Sequence, residues 1–173
     1  MKAELVSIGT ELLLGEILDT NAQYLAARLP PLGIDLYYTS KVGDNLERLT
    51  EVIERAWSRS DLVITTGGLG PTEDDLTREA IARVLGEEMT VDPALERQLR
   101  EFFARRGVTM PERNVKQASL IASSRALPNP RGTAPGWWVE RRGCIIVAMP
   151  GPPVEMGRMW EQEVAPELEA RAT

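Results

Sequence analysis

The stretch from Asp61 to Thr77, DLVITTGGLGPTEDDLT, constrains this chain more than any other. Asp61 to Thr66 is a short apolar, β-branched run. Gly67, Gly68 and Gly70 break it, followed by Pro71, Thr72 and the acidic trio Glu73, Asp74 and Asp75 before a helical pattern begins. The order is strand, glycine loop, helix start. Glycine reaches φ > 0 and carries no Cβ, so such a loop lets peptide N–H groups close around an anion, and a helix N-terminus just beyond adds partial positive charge. The loop reads as a phosphate cradle. Carboxylates beside a phosphate repel it unless a cation lies between them, and Mg²⁺ is commonly held by one or two carboxylates plus phosphate oxygens. A metal-assisted diphosphate site therefore joins the glycine loop to Asp74 and Asp75. The stretch is neither a Walker A loop, having no Gly-Lys-Ser/Thr, nor GxGxxG. Taken alone it would also serve as a tight turn into a helix with an acid-rich first turn.

A chain of 173 residues, 43% hydrophobic and 27% charged, suits one ordinary soluble domain with a full core. Its net charge of -6, with no dense basic block, argues against nucleic acid as a partner but leaves room for a small nucleotide. Histidine is absent, which removes Ser-His-Asp and Cys-His catalysis and leaves carboxylates, lysine and metal-bound water for proton work. The single cysteine, Cys144 in GCIIVAM, reads as a buried, unreactive thiol. No apolar run approaches the roughly 18 residues that cross a bilayer. The start MKAELVSIGTE also lacks a secretory pattern, so a cytoplasmic protein with no membrane partner is expected.

Ala3 to Ile8 reads as a first strand, and GTELLLGEILDTN after it as a structured loop, with Asn21 or Thr20 capping the next helix. That helix carries Ala22, Leu25, Ala26 and Leu29 and stops at Pro30 and Pro31. Ile34 to Val42 is a second strand. Asp44 then caps a helix, with Glu47 completing a capping box and Leu46, Leu49, Val52, Ile53, Ala56 and Trp57 forming its core stripe. Asp92 and Pro93 open a helix to about Arg106 whose Leu95, Leu99, Phe102 and Phe103 face inward. Pro111 to Ala122 reads as a short helix and NPRGTAPG as a loop. Trp137 to Glu140 and Cys144 to Ala148 form a hairpin, and a last helix runs from about Val154 toward Leu168. Strands alternating with helices, closed by a hairpin, predict a mostly parallel mixed sheet.

Ligands of such sheets bind beyond the carboxyl ends of the strands. Four polar clusters leave the strands there: Thr10 and Glu11, then Asp44, then Thr66 to Asp75, then Pro150, Gly151 and Pro152. Three acidic positions meeting a glycine loop favour a metal and a polyphosphate, with Asp44, Asp74 and Asp75 as ligands. Thr66, Gly67, Gly68, Gly70 and Thr72 would surround the phosphates, and Lys116 would be the side-chain cation stabilising charge on phosphoryl oxygens. Asn114 and Gln117 are placed to read ribose hydroxyls. Trp137 and Trp138 are either a stacking surface for a base or core.

These residues together resemble the CinA family of competence-damage-inducible proteins, specifically their N-terminal domain, within the wider molybdopterin-binding fold of MoaB, MogA and MoeA. The resemblance rests on five blocks in order: GTELLLGEILDTN, TTGGLGPTEDD, RNVKQA, NPRGTAPGWW and PGPPVEM. It implies a three-layer α/β/α domain and an ADP-ribose pyrophosphatase that gives AMP and ribose 5-phosphate with Mg²⁺ or Co²⁺, potassium assisting. It also implies functional acids at Glu11, Asp44 and Asp74 or Asp75, substrate contacts at Asn129, Gly132, Thr133 and Gly136, and a homo-oligomer. Proteins of that family usually continue into a nicotinamide mononucleotide deamidase domain, whereas this sequence stops at Thr173, so no deamidase activity is expected of it. Two further functions would use the same phosphate and metal apparatus: a MogA-like molybdopterin adenylyltransferase, against which the Gly9 to Asn21 block weighs, and a nucleotide-binding module without catalysis.

Overall fold

The computed structural model describes residues 1–172. Four parallel strands form one side of the main sheet: β1 (Lys2–Ile8), β2 (Asp35–Val42), β3 (Leu62–Thr66) and a later strand, Cys144–Met149. Gly136–Arg141 pairs antiparallel with that later strand, and Ser124–Leu127 pairs antiparallel with Gly136–Arg141. Thr90–Val91 and Ser119–Leu120 form a separate two-stranded ribbon. In chain order the strands after β3 are thus β4 (Thr90–Val91), β5 (Ser119–Leu120), β6 (Ser124–Leu127), β7 (Gly136–Arg141) and β8 (Cys144–Met149). The main sheet runs β2-β1-β3-β8-β7-β6. The sequence pattern anticipates the mixed, mostly parallel sheet and its hairpin, whose turn places Arg142 and Gly143 at positive φ of 53° and 77°. It misses β4, β5 and β6, which are short and lack an alternating pattern.

Strand side chains alternate, so the sheet feeds two cores. On one face Val6, Ile8, Val63 and Ile146 pack with Leu49 and Ile53 of α3 (Leu46–Arg59) and Ile81 of α4 (Thr77–Leu85). On the other, Leu5, Leu62, Ile64 and Val147 pack with Leu25 of the Thr20–Arg28 helix and with Met156, Met159, Trp160 and Val164. The remaining helices are α1 (Thr10–Leu13), α2 (Thr20–Arg28), α5 (Pro93–Ala104), α6 (Pro153–Met159) and α7 (Ala165–Ala172), the last two joined through a π-helical turn, Trp160–Val164. This is a three-layer α/β/α sandwich.

Several local expectations need correction. Asp19, not Thr20 or Asn21, caps α2, its Oδ1 accepting from Ala22 N at 3.1 Å. Asn45, not Asp44, caps α3, accepting from Arg48 N at 3.0 Å, so the Asp44–Glu47 capping box does not form. Thr10–Leu13 is a helical turn rather than loop, and Glu112–Ala118 is a 3₁₀ helix leading into β5. Of the four inward residues expected on α5 only Leu99 is buried; Leu95, Phe102 and Phe103 are half-buried, because α5 lies outside both cores. Glu73, Asp74 and Asp75 precede α4 instead of forming its first turn.

Trp137 and Trp138 are 1% and 2% exposed, one in each core, so neither can stack on a ligand base. Trp137 also donates its indole N–H to Ser119 O at 3.0 Å. Truncating it to Ala should lower stability by about 3–5 kcal/mol, visible as a lower urea midpoint at unchanged slope. A midpoint within error of the parent's would contradict its place in the core. Cys144 is buried and donates to Ser60 O at 3.2 Å. Burial, with Asp61's charge behind it, pushes the thiol up to about 11 from 9.0. Between those two values the unfolded chain ionises first, so stability present below pH 9 is lost as pH rises toward 11. Urea midpoints should therefore fall more steeply with pH across that window in the parent than in Cys144→Ala; parallel profiles would refute the shift.

Candidate functional site

The site is built on the carboxyl end of β3, where Gly67 and Gly68 take positive φ of 96° and 72°. A Cβ on Gly67 would strike the Ile8 carbonyl, and one on Gly68 the Thr77 hydroxyl, so only glycine fits at either position. The loop's carbonyls are drawn back into the protein. Thr77 Oγ1 donates to Gly67 O at 2.8 Å, Thr77 N to Gly68 O at 3.2 Å, Arg78 Nη2 and Gln117 Nε2 to Leu69 O, and Arg78 Nη1 to Gly70 O at 3.5 Å. In a planar trans peptide the N–H points opposite the preceding C=O. Retaining the carbonyls of Gly67, Gly68 and Leu69 thus turns the N–H groups of Gly68, Leu69 and Gly70 the other way. Among the described residues those three amides meet no protein acceptor, and all three residues line a recess of about 400 Å³.

Asp75, Gln117, Gly132, Thr133, Pro150, Gly151, Pro152 and Glu155 complete the lining of that recess. Gly132 and Thr133 also line a larger cleft of about 530 Å³, walled by Leu95, Leu99 and Phe102 of α5 and by Asn129 to Pro130. Gly151 also lines a small recess of about 70 Å³ with Glu11, Asn21 and Thr66. Three hollows thus lie in a row, joined at Gly132 and Thr133 on one side and at Gly151 on the other.

The remaining expected residues fall outside this row or serve it indirectly. Asp44 and Thr10 clasp each other, Thr10 Oγ1 lying 3.2 Å from Asp44 Oδ2 and accepting from Asp44 N at 3.1 Å; neither lines a hollow. Asp74 is exposed and lines none of the three. Asp75 lines the central recess with Oδ2 fixed by Thr72 N and Oγ1 at 3.0 and 2.7 Å. Among the described residues no three acidic, cysteine or histidine side chains group to hold a metal. The expected cage of Asp44, Asp74 and Asp75 does not form: Asp44 is held by Thr10, Asp75 by Thr72, and Asp74 is exposed. Gly136 lies in β7 against Met159 Sδ and Ala148 O, where it allows close packing and reaches no hollow. Asn114 is buried behind the site, donating to Gln117 Oε1 at 2.8 Å, while Gln117 Nε2 also holds Thr133 Oγ1 at 3.0 Å. Asn114 thus positions Gln117, and Gln117, in the lining of the recess, braces the Leu69 and Thr133 loops.

Lys116 is likewise a latch. Its Nζ donates to Thr72 O at 2.8 Å and Asp75 O at 2.6 Å and pairs with Glu79 Oε1 at 3.3 Å, which occupies all three ammonium hydrogens. The cation facing the recess from behind is Arg78, fully buried. Burial lowers its pKa to about 10, so it stays protonated at neutral pH, with Glu79 and Asp75 supporting the charge. The sequence carried a signal for it: Arg78 precedes Ile81 by three positions and Leu85 by seven, on the apolar face of α4. Glu155 was missed too. Its Oε1 accepts from Asn129 Nδ2 at 2.8 Å and lies where a Cβ on Gly132 would be.

A sequence model of the family described as "Probable molybdopterin binding domain" matches residues 4–170. The chain belongs to this family. It is 58% identical over 168 residues to a "CinA-like protein" of Thermomicrobium roseum, which covers 97% of this chain and 41% of that protein. It is 54% identical over 173 residues to a "Putative competence-damage inducible protein" of Symbiobacterium thermophilum, covering 99% and 41%. The chain thus spans about two fifths of the length of these curated relatives. Among solved structures it superposes on the protein CinA, with unknown function, from Thermoplasma acidophilum, with TM-score 0.90 and 28% identity over 97% of this chain and 99% of that one. It shares the fold of MoaB from Thermus thermophilus, with TM-score 0.62 and 20% identity over 99% and 96%. No helix among the described residues is long and apolar enough to cross a membrane.

Replacing Lys116 by Met should free the Thr72 to Asp75 turn. We expect a loss of about 1–2 kcal/mol in stability and faster amide exchange at residues 72–76. Unchanged exchange there with weakened phosphate binding would return Lys116 to the role of phosphate ligand.

Proposed function

We propose that this chain hydrolyses the diphosphate bond of ADP-ribose, giving AMP and ribose 5-phosphate. The observation that carries the reading is the row of three outward amides, Gly68 to Gly70, backed by the buried charge of Arg78 and opening on a recess of about 400 Å³. Such a concave set of N–H groups suits phosphoryl oxygens and would stabilise the charge that builds on them during attack at phosphorus. The adjoining cleft of about 530 Å³, with the half-buried Phe102 in its wall, suits the adenine, a role the buried tryptophans cannot take.

Two carboxylates line the central recess, Asp75 and Glu155. Two are enough for a divalent cation that takes its other ligands from phosphate and water, and too few for a cation held by protein alone. Asp75 and Glu155 are therefore the residues that would hold Mg²⁺ or Co²⁺. When bound, such an ion neutralises phosphate charge and orients water. In the hydrolysis a water oxygen bonds to one phosphorus, the bond from that phosphorus to the bridging oxygen breaks, and the bridging oxygen leaves with the other phosphate. The water's proton passes to whichever of Asp75 Oδ1 and Glu155 Oε2 the ion would leave free, and from there to solvent. Thr72 holds Asp75 in place throughout.

Incubation with ADP-ribose and Mg²⁺ or Co²⁺, resolved by chromatography, should show AMP and ribose 5-phosphate in equal amounts. Asp75→Asn should lower turnover by at least about 100-fold with little change in Tm. Intact ADP-ribose recovered from the folded chain under every metal would overturn the reading. Tight binding without cleavage would make the chain a nucleotide sensor, and adenylated molybdopterin formed from ATP would make it a MogA-like transferase.

A further inference from the structure

The small recess beyond Gly151 holds an amide whose orientation is fixed. Asn21 Nδ2 donates to Gly151 O at 2.8 Å, and since a carbonyl can only accept, the nitrogen of that amide must be the atom facing Gly151. Asn21 Oδ1 is left as the other end. It is buried and has no hydrogen-bond partner, in a side chain only 9% exposed. Asn21 lines the recess together with Glu11, Asp19, Thr20 and Thr66. An unpaired buried acceptor is costly, and it discriminates strongly in favour of a ligand that brings a donor.

We infer that Asn21 is a specificity residue that accepts a hydrogen bond from the 2- or 3-hydroxyl of the substrate's terminal ribose. The inference rests on the reading above and deepens it. The cleft beside Phe102, the amide-lined recess and the Asn21 recess follow one another, joined through Gly132 and Thr133 and then through Gly151. A base, a diphosphate and a second sugar follow one another in the same order in a dinucleotide-like molecule. With the base in the first hollow and the phosphates in the second, the terminal ribose meets the third. Its hydroxyls are neutral donors, which suits a recess that also contains the carboxylate of Glu11. A hollow of about 70 Å³ admits one edge of a sugar rather than a second base. Asn21 therefore separates a ribosyl end from ends that lack hydroxyls, while its Nδ2 holds the Pro150 to Pro152 loop at the junction.

The test is calorimetric and needs no turnover. Ribose 5-phosphate, its 2-deoxy and 3-deoxy counterparts, inorganic phosphate and AMP are titrated into the parent chain and into Asn21→Ala. In the parent, at least one deoxy sugar should bind roughly tenfold more weakly than ribose 5-phosphate. In Asn21→Ala that difference should vanish, while AMP binds as in the parent, which shows that the phosphate recess survives the change. Equal binding of all three sugar phosphates by the parent would overturn the inference and leave the proposed function standing, as would discrimination that persists in Asn21→Ala or ribose 5-phosphate binding no better than inorganic phosphate. Failure of both AMP and ribose 5-phosphate to bind would remove both.

Discussion

The outward turn of the glycine-loop amides depends on what holds the opposite side of the same peptides. Thr77, Arg78 and Gln117 hold the carbonyls of Gly67, Gly68 and Leu69, and planarity of the peptide does the rest. The anchors come from two places in the chain, the start of α4 and the 3₁₀ turn that carries Gln117, so the cradle exists only when both pack against β3. Asn114 holds Gln117, and Lys116 holds the turn that follows the glycines. Gly67 is also enclosed, by Ile8 on one side and by Gly151, whose Cβ position lies 3.4 Å from Gly67 Cα, on the other. The loops after β1, β3 and β8 thus meet at one point because three adjacent parallel strands end together.

Charge is arranged in layers around that point. A guanidinium lies behind the amides, and two carboxylates line the space in front. Two unit charges 4 Å apart interact by about 4 kcal/mol at an effective dielectric constant of 20. Charges at such separations bear on whether an anion enters, Arg78 favouring it from behind and Asp75 and Glu155 opposing it from in front. A divalent ion held by those carboxylates would offset the unfavourable half. Burial of Arg78 lowers its pKa but leaves it protonated at neutral pH, so the layer behind the amides keeps its sign there.

Periodicity made the architecture legible. Leu49, Ile53 and Ala56 on α3 and the continuous apolar β3 report directly which faces are buried. Caps were legible in type but not in place. Asp44 and Asn45 are both competent caps, and Asn45 took the role because Asp44 found Thr10, which is 34 residues away. The carboxylate convergence failed for the same reason. Strand ends bring residues to one rim, but side-chain hydrogen bonds fix Asp75 on nearby Thr72 and Asp44 on Thr10, a partner that is invisible in linear order. Lys116 shows this most clearly, since the carbonyls it holds are 44 and 41 residues distant. Arg78 is the opposite case, a charge placed on an apolar helical stripe and therefore readable.

The same division explains what the fold shares with its neighbours and what it does not. At 20% identity MoaB retains the three layers, which require only that apolar residues recur at the right spacing. The hollows in this chain are formed by particular residues beyond the strand ends: Gly132 admits Glu155, Gly151 lies against Gly67, and Asn21 lines the far end. Each of these is a contact between segments that follow different strands: Asn21 opens α2 after β1, and Glu155 lies in α6 after β8. Changing one alters the shape of a junction without disturbing either core, so substrate choice can vary within this sandwich while its stability is held by the sheet.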